Sequence, residues 1–84
     1  MYTTKIYTDE GIIRIKSKNA KFAYNNHINA ANGADNENNI ITTNRTGEII
    51  AYGYDTSKIK KTLKLPYWAY GCASRLILNE FLTN

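Results

Sequence analysis

The sequence predicts an α+β fold: a small, mostly antiparallel sheet made of two hairpins, with a C-terminal helix packed on one face. Three observations carry this reading. Runs rich in Tyr, Thr and Ile flank Asp9-Glu10-Gly11, and a second pair of such runs flanks Asn44-Arg45-Thr46-Gly47. Pro66 then opens a stretch whose apolar residues recur at helical spacing as far as Leu82.

The first hairpin joins residues 2–8 to residues 12–17, whose β-branched and aromatic side chains suit strands. With Glu10-Gly11 as a two-residue loop, Thr8 pairs with Ile13 and Ile6 with Ile15. That register gives one apolar face and one face carrying Lys5, Tyr7, Arg14 and Lys16. A slip of one residue would mix the two sets.

Residues 20–32 admit two readings. As a strand over 20–24, after a Lys18-Asn19 turn, they place Phe22 and Tyr24 against Ile15 and Ile13 and bring the sheet to five strands. As a helix, they are capped by Asn19, closed by Gly33 and striped by Ala20, Ala23, Tyr24, His27 and Ala31. The many asparagines, poor helix formers, tip the reading toward the strand, with a short helical turn around His27 to Ala31. The rest of residues 25–39 reads as a long connection.

The second hairpin runs from Ile40 to Thr43 and from Glu48 to Tyr54. A Thr46-Gly47 loop would set Arg45 across from Glu48 and put Ile41, Ile50, Tyr52 and Tyr54 on one face. Ile40, Ile49 and Ala51 would take the other. Residues 55–65 lean toward a short helix capped by Asp55 or Ser57, with Ile59 and Leu63 inward and the lysines fanned outward. The last helix starts at Pro66 and packs Ala69, Tyr70, Ala73, Leu76, Ile77 and Phe81 on the sheet. Leu78 and Leu82 lie on its other side, so they and Trp68 are the candidate contacts for a partner or a homodimer.

With 84 residues, the chain reads as a single domain, 1–84. A chain this short buries only about 60–65% of its unfolded surface, which favours a protein that acts through its exterior. Hydrophobic residues make up 43% and charged residues 21%, a mix that excludes disorder over the whole chain. No apolar run approaches the ~20 residues that span a bilayer. The start, Met1-Tyr2-Thr3-Thr4-Lys5, lacks an apolar signal core, so the expected location is cytoplasmic, away from membranes.

The net charge is +4, and its distribution is uneven. Lys5, Arg14, Lys16, Lys18 and Lys21 outweigh Asp9 and Glu10 at the start. Asp35, Glu37, Glu48 and Asp55 outweigh Arg45 in the middle, and Lys58, Lys60, Lys61 and Lys64 form a second basic block. The two blocks mark Lys5, Tyr7, Arg14, Lys16, Lys58, Lys60, Lys61 and Lys64 as the candidate binding face, directed at an acidic surface.

No catalytic motif is present: there is neither a Gly-x-Ser-x-Gly elbow nor a His-Glu-x-x-His pair. Cys72 and His27 are each the sole residue of their type, so the chain is expected to hold no disulfide, metal or cofactor. No phosphate-binding glycine loop occurs either. The expectation is a non-enzymatic binding protein. Its size and its richness in Asn, Ile, Lys and Tyr match an accessory protein of a phage or mobile element. Such a protein would inhibit a host defence or nucleic-acid-processing complex by steric blockade, in the manner of an anti-CRISPR protein. The alternative is a small basic nucleic-acid-binding regulator that contacts phosphates, since lysines outnumber the arginines that read bases.

Overall fold

A computed structural model describes residues 1–64. The predicted last helix, with Trp68, Leu78 and Leu82, lies outside the described residues.

Strand β1 (Tyr2–Thr8) turns back through Asp9-Glu10 into β2 (Gly11–Ser17). Helix α1 (Ala20–Gly33) follows, then a 3-10 turn at Glu37–Asn39. Strands β3 (Ile40–Thr43) and β4 (Ile49–Tyr52) form the second hairpin, and the short helix α2 (Ser57–Thr62) comes after it. The four strands make one antiparallel sheet in the order β2-β1-β3-β4, so β1 and β3 are central. Both helices pack on the same side. α1 lies against β1, β2 and β3, while α2 lies against β4 and α1. The α+β class stands, but the helix that covers the sheet among the described residues is α1, in the middle of the chain, and no fifth strand occurs among them.

The strand expected at 20–24 is the first turn of α1. Asn19 decides this, because its side chain accepts the Phe22 N–H at 3.0 Å and satisfies a helix-start donor that a strand would not present. Packing then overrides the weak propensity of the asparagines. Ala23, Tyr24, His27 and Ala31 are buried as one stripe, whereas Phe22, assigned inward by the strand reading, is mostly exposed. Helix therefore also replaces most of the long connection expected over 25–39.

The first hairpin has the expected faces in a different register. Its loop is Asp9-Glu10, not Glu10-Gly11, so Thr8 pairs with Gly11 and Ile6 with Ile13. The Thr8 hydroxyl donates to the Gly11 carbonyl at 2.7 Å and ties the loop ends together. A shift of two residues leaves every side chain on its original side.

The second hairpin departs further. Thr43 faces Ile49 and Thr42 faces Ala51, which leaves Ile50 as the extra residue of a bulge. Ile50 and Ala51 are consequently both buried, while Ile49 takes the side shared by Ile41 and Tyr52. The loop is longer than the Thr46-Gly47 pair expected, and no Arg45–Glu48 pair forms. Instead the Asn44 side-chain oxygen accepts from the Thr46 N–H (3.0 Å), the Thr46 hydroxyl (2.8 Å) and the Glu48 N–H (3.0 Å).

Ala23, Tyr24, Ile50, Ala51 and Ile59 form the core between the sheet and the two helices. Beside it runs a buried polar chain. His27 Nε2 donates to the Gly53 carbonyl at 2.7 Å, because a carbonyl can only accept. His27 Nδ1 therefore accepts from the Thr42 hydroxyl at 2.7 Å, and Thr42 in turn accepts from Thr4 at 2.9 Å. Burial pushes the His27 pKa below its ordinary value, against the Gly53 hydrogen bond, which raises it. The chain links α1, both central strands and the backbone that follows β4. Every buried side-chain polar atom among the described residues has a partner.

Candidate docking face

The pairing register defines the side of the sheet that no described element covers. Side chains directly opposed across antiparallel strands share a face. One row across the sheet is therefore Arg14, Lys5, Ile41 and Tyr52. The row on one side of it is Lys16, Thr3, Thr43 and Ile49, and the row on the other begins with Ile12 and Tyr7.

The face has two halves. The β1–β2 half holds Lys5, Arg14 and Lys16 together with Tyr7 and Ile12. The β3–β4 half holds Ile41, Ile49 and Tyr52, with the exposed Asp55 opposite Tyr52 at its edge. Four of its large side chains are open to solvent: Tyr7 at 39%, Ile12 at 41%, Tyr52 at 46% and Ile49 at 48%. Bulky apolar groups left open side by side on one face are the usual mark of an interaction surface.

Charge sharpens this reading. Lys5 lies directly opposite Arg14, and like charges so placed destabilise a sheet. No carboxylate sits beside them on β1 or β2; Asp55, opposite Tyr52 across the turn after β4, extends their row at its far end. The face thus holds three cations and their mutual repulsion, which an incoming anion would relieve.

The candidate residues of the second basic block stand apart from Lys5, Arg14 and Lys16, although Lys58 lines a shallow groove with Ile49, Tyr52 and Asp55 at the β4 edge. Ile59 is buried in the core on the helical side of the sheet, so α2 lies across the sheet from Lys5 and Arg14. Lys60 is itself buried, at 4% exposure, which corrects the expectation that every lysine here fans outward. Lys58 and Lys61 line a shallow groove of about 400 Å³ beside Glu48 and Asn44, where a carboxylate tempers their charge. Lys64 is exposed just past the helix. Of the eight candidates, the structure brings together Lys5, Tyr7, Arg14 and Lys16 and separates them from Lys58, Lys60, Lys61 and Lys64.

Sequence reasoning placed Ile41 and Tyr52 on one face, as the structure does, but missed Ile12 and Ile49 and did not join that face to Lys5 and Arg14. Ile12 had a signal, since it alternates with Arg14 and Lys16. Ile49 had none, because the bulge that turns it outward leaves no local mark.

Elsewhere, a cleft of about 480 Å³ opens between the end of α1 and the end of β1, lined in part by Ile6, Thr8, Asn29, Asp35 and Asn39. Its polar groups are amides, a hydroxyl and carboxylates at the surface. No group of three or more His, Cys, Asp or Glu among the described residues could hold a metal ion. No helix of the described residues is long and apolar enough to cross a membrane. Comparison with protein-family models, with curated proteins and with solved structures finds no match.

Proposed function

We propose that this chain is a non-enzymatic binding protein that docks through the open face of its sheet onto an acidic protein or nucleoprotein surface. The observation that carries the reading is Lys5 opposite Arg14, with Lys16 in the next row and no carboxylate beside them on β1 or β2. A partner with an acidic rim and an apolar ridge would meet the cations on β1 and β2 and the aliphatic half on β3 and β4. Burying the apolar half supplies affinity, and the cations set orientation and speed of encounter.

Steric blockade is the mechanism that suits such a surface, since docking alone occludes whatever the partner face normally binds. Acting in the cytoplasm, the protein would inhibit a host defence or nucleic-acid-processing complex, as anti-CRISPR proteins do. Phage plating on cells with an active CRISPR–Cas or restriction system tests this. The chain should restore plating toward the level of cells lacking that system. Plating no better than with an empty vector, against every system tried, contradicts the reading.

A second reading is favoured by one feature, the presence of Tyr7 and Tyr52 on the same face as the cations. Aromatic rings can stack on bases while lysines contact phosphates. Fluorescence anisotropy with labelled single- and double-stranded DNA and RNA separates the two. Tight binding that falls steeply with salt supports the nucleic-acid regulator, and no binding even at low salt removes it. The aliphatic Ile12, Ile41 and Ile49 weigh toward the protein partner, because they fit apolar side chains better than bases.

A further inference from the structure

We propose that the edge of β2, unpaired among the described residues, accepts an added strand from the acidic partner: an extended segment in which acidic and apolar side chains alternate. This rests on the docking reading above and specifies how the partner engages.

β2 is an outer strand, paired with β1 through all seven of its residues without a bulge. Every second residue of an outer strand turns its N–H and C=O away from the sheet. Such an edge is a template for another strand unless it is short, bulged, interrupted by proline or covered. The opposite edge is blunted in this way. β4 has four residues, a register shift beside it and α2 packed against it. β2 is longer, keeps one register and has no proline; α1 packs near it and buries Ser17, but Ile12, Ile13, Arg14 and Lys16 stay exposed.

What guards β2 is charge. Arg14 and Lys16 alternate along one of its faces, with Lys5 one strand further in, about 4.8 Å away. Two copies paired edge to edge through β2 would set these cations against one another, so a second copy is a poor occupant. The same charges select an acidic strand.

The side-chain pattern completes the specificity. A strand laid along β2 places alternate residues beside Ile12, Arg14 and Lys16 on the open face. The intervening residues fall beside Ile13 and Ile15 on the other. Ile13 is 52% exposed, so this edge strand leaves bulky aliphatics uncovered on both faces. Carboxylates at alternate guest positions would meet Arg14 and Lys16, and aliphatic residues between them would meet Ile13 and Ile15. Main-chain hydrogen bonds supply affinity in such strand addition, and the alternating side chains supply selectivity.

The test uses the full chain, isotope-labelled, and two short fluorescent peptides of identical composition. One alternates Glu with Val and Ile, and the other gathers its Glu residues at one end. The alternating peptide should bind at least about tenfold more tightly. It should shift the amides of Ile12, Arg14 and Lys16 and slow their hydrogen exchange, and R14E/K16E should weaken it at least as much. Equal binding of the two peptides overturns strand addition, because it reports charge attraction alone. Shifts confined to Ile41, Ile49 and Tyr52 also overturn it while supporting the docking face. Absence of binding overturns the edge inference alone, since the plating assay judges the docking reading without these peptides.

Discussion

Lys5 on the central strand β1 stands directly opposite Arg14 on the edge strand β2, cation against cation. The pair costs stability and has no carboxylate beside it on β1 or β2. Replacing Arg14 with Glu should therefore raise stability by about 0.2–1 kcal/mol, by turning a repulsive cross-strand pair into an attractive one. Urea denaturation would show this as a higher midpoint at an unchanged slope. A lower midpoint would mean that Arg14 makes a stabilising contact and that the like-charge argument is mistaken.

The buried chain from Thr4 to Gly53 makes an ordered prediction about two threonines. Thr42 both donates to His27 and accepts from Thr4, whereas Thr4 stands at the chain's end. Thr42→Val leaves the His27 nitrogen buried without its donor and should cost about 1–3 kcal/mol. Thr4→Val removes only a donor to an oxygen that keeps its other bond, so it should cost less. The two denaturation midpoints give the order directly.

His27 sets the response to acid. Its folded-state pKa lies below the unfolded value of about 6.5, so the unfolded chain binds the proton more readily. The His27 contribution is fully present above the unfolded pKa and is lost as pH falls through that value toward the folded one. The slope from this one group cannot exceed about 1.4 kcal/mol per pH unit. Denaturation midpoints measured downward from about pH 8 should fall in the wild type and stay flatter in His27→Gln. An increase on acidification would contradict the assigned tautomer and burial.

Gly53 should tolerate a side chain less well than Gly47. Both have positive φ, +58° and +87°, where an L-residue pays about 1–2 kcal/mol. At Gly47 an added Cβ meets nothing within 4 Å, whereas at Gly53 it would come within 3.0 Å of the Asn38 side-chain oxygen. Gly53 also presents the carbonyl that His27 binds. Gly53→Ala should therefore lower the denaturation midpoint more than Gly47→Ala, and equal losses would show that backbone strain alone sets the cost.

The parts of this fold legible in the sequence are those governed by local pattern. Period-two alternation separated Lys5, Tyr7, Arg14 and Lys16 from Ile6 and Ile15, and that separation survived a loop displaced by one residue at each end because parity was kept. Ile59 and Leu63 were correctly read as the inner side of a short helix. What stayed illegible depends on tertiary contact. The asparagines of α1 read against a helix, yet burial of Ala23, Tyr24, His27 and Ala31 outweighs their propensity. The bulge at Ile50 exists because the core takes two consecutive residues, and nothing in Ile49-Ile50-Ala51 marks which is extra. Lys60 and Lys61 are identical side chains with opposite surroundings, so charge counting overstated the basic block by treating them alike. His27 looked solitary because its partners Thr42 and Gly53 lie far along the chain.

The most direct test of the docking face compares two charge reversals in the plating assay. R14E/K16E alters the open face, and K58E/K61E removes the same amount of positive charge on the helical side of the sheet. Both doubly reversed chains should fold, since all four residues are exposed. The account predicts that R14E/K16E loses the restored plating while K58E/K61E keeps it. Loss with K58E/K61E alone, or equal loss with both, would contradict the assignment of binding to the open face.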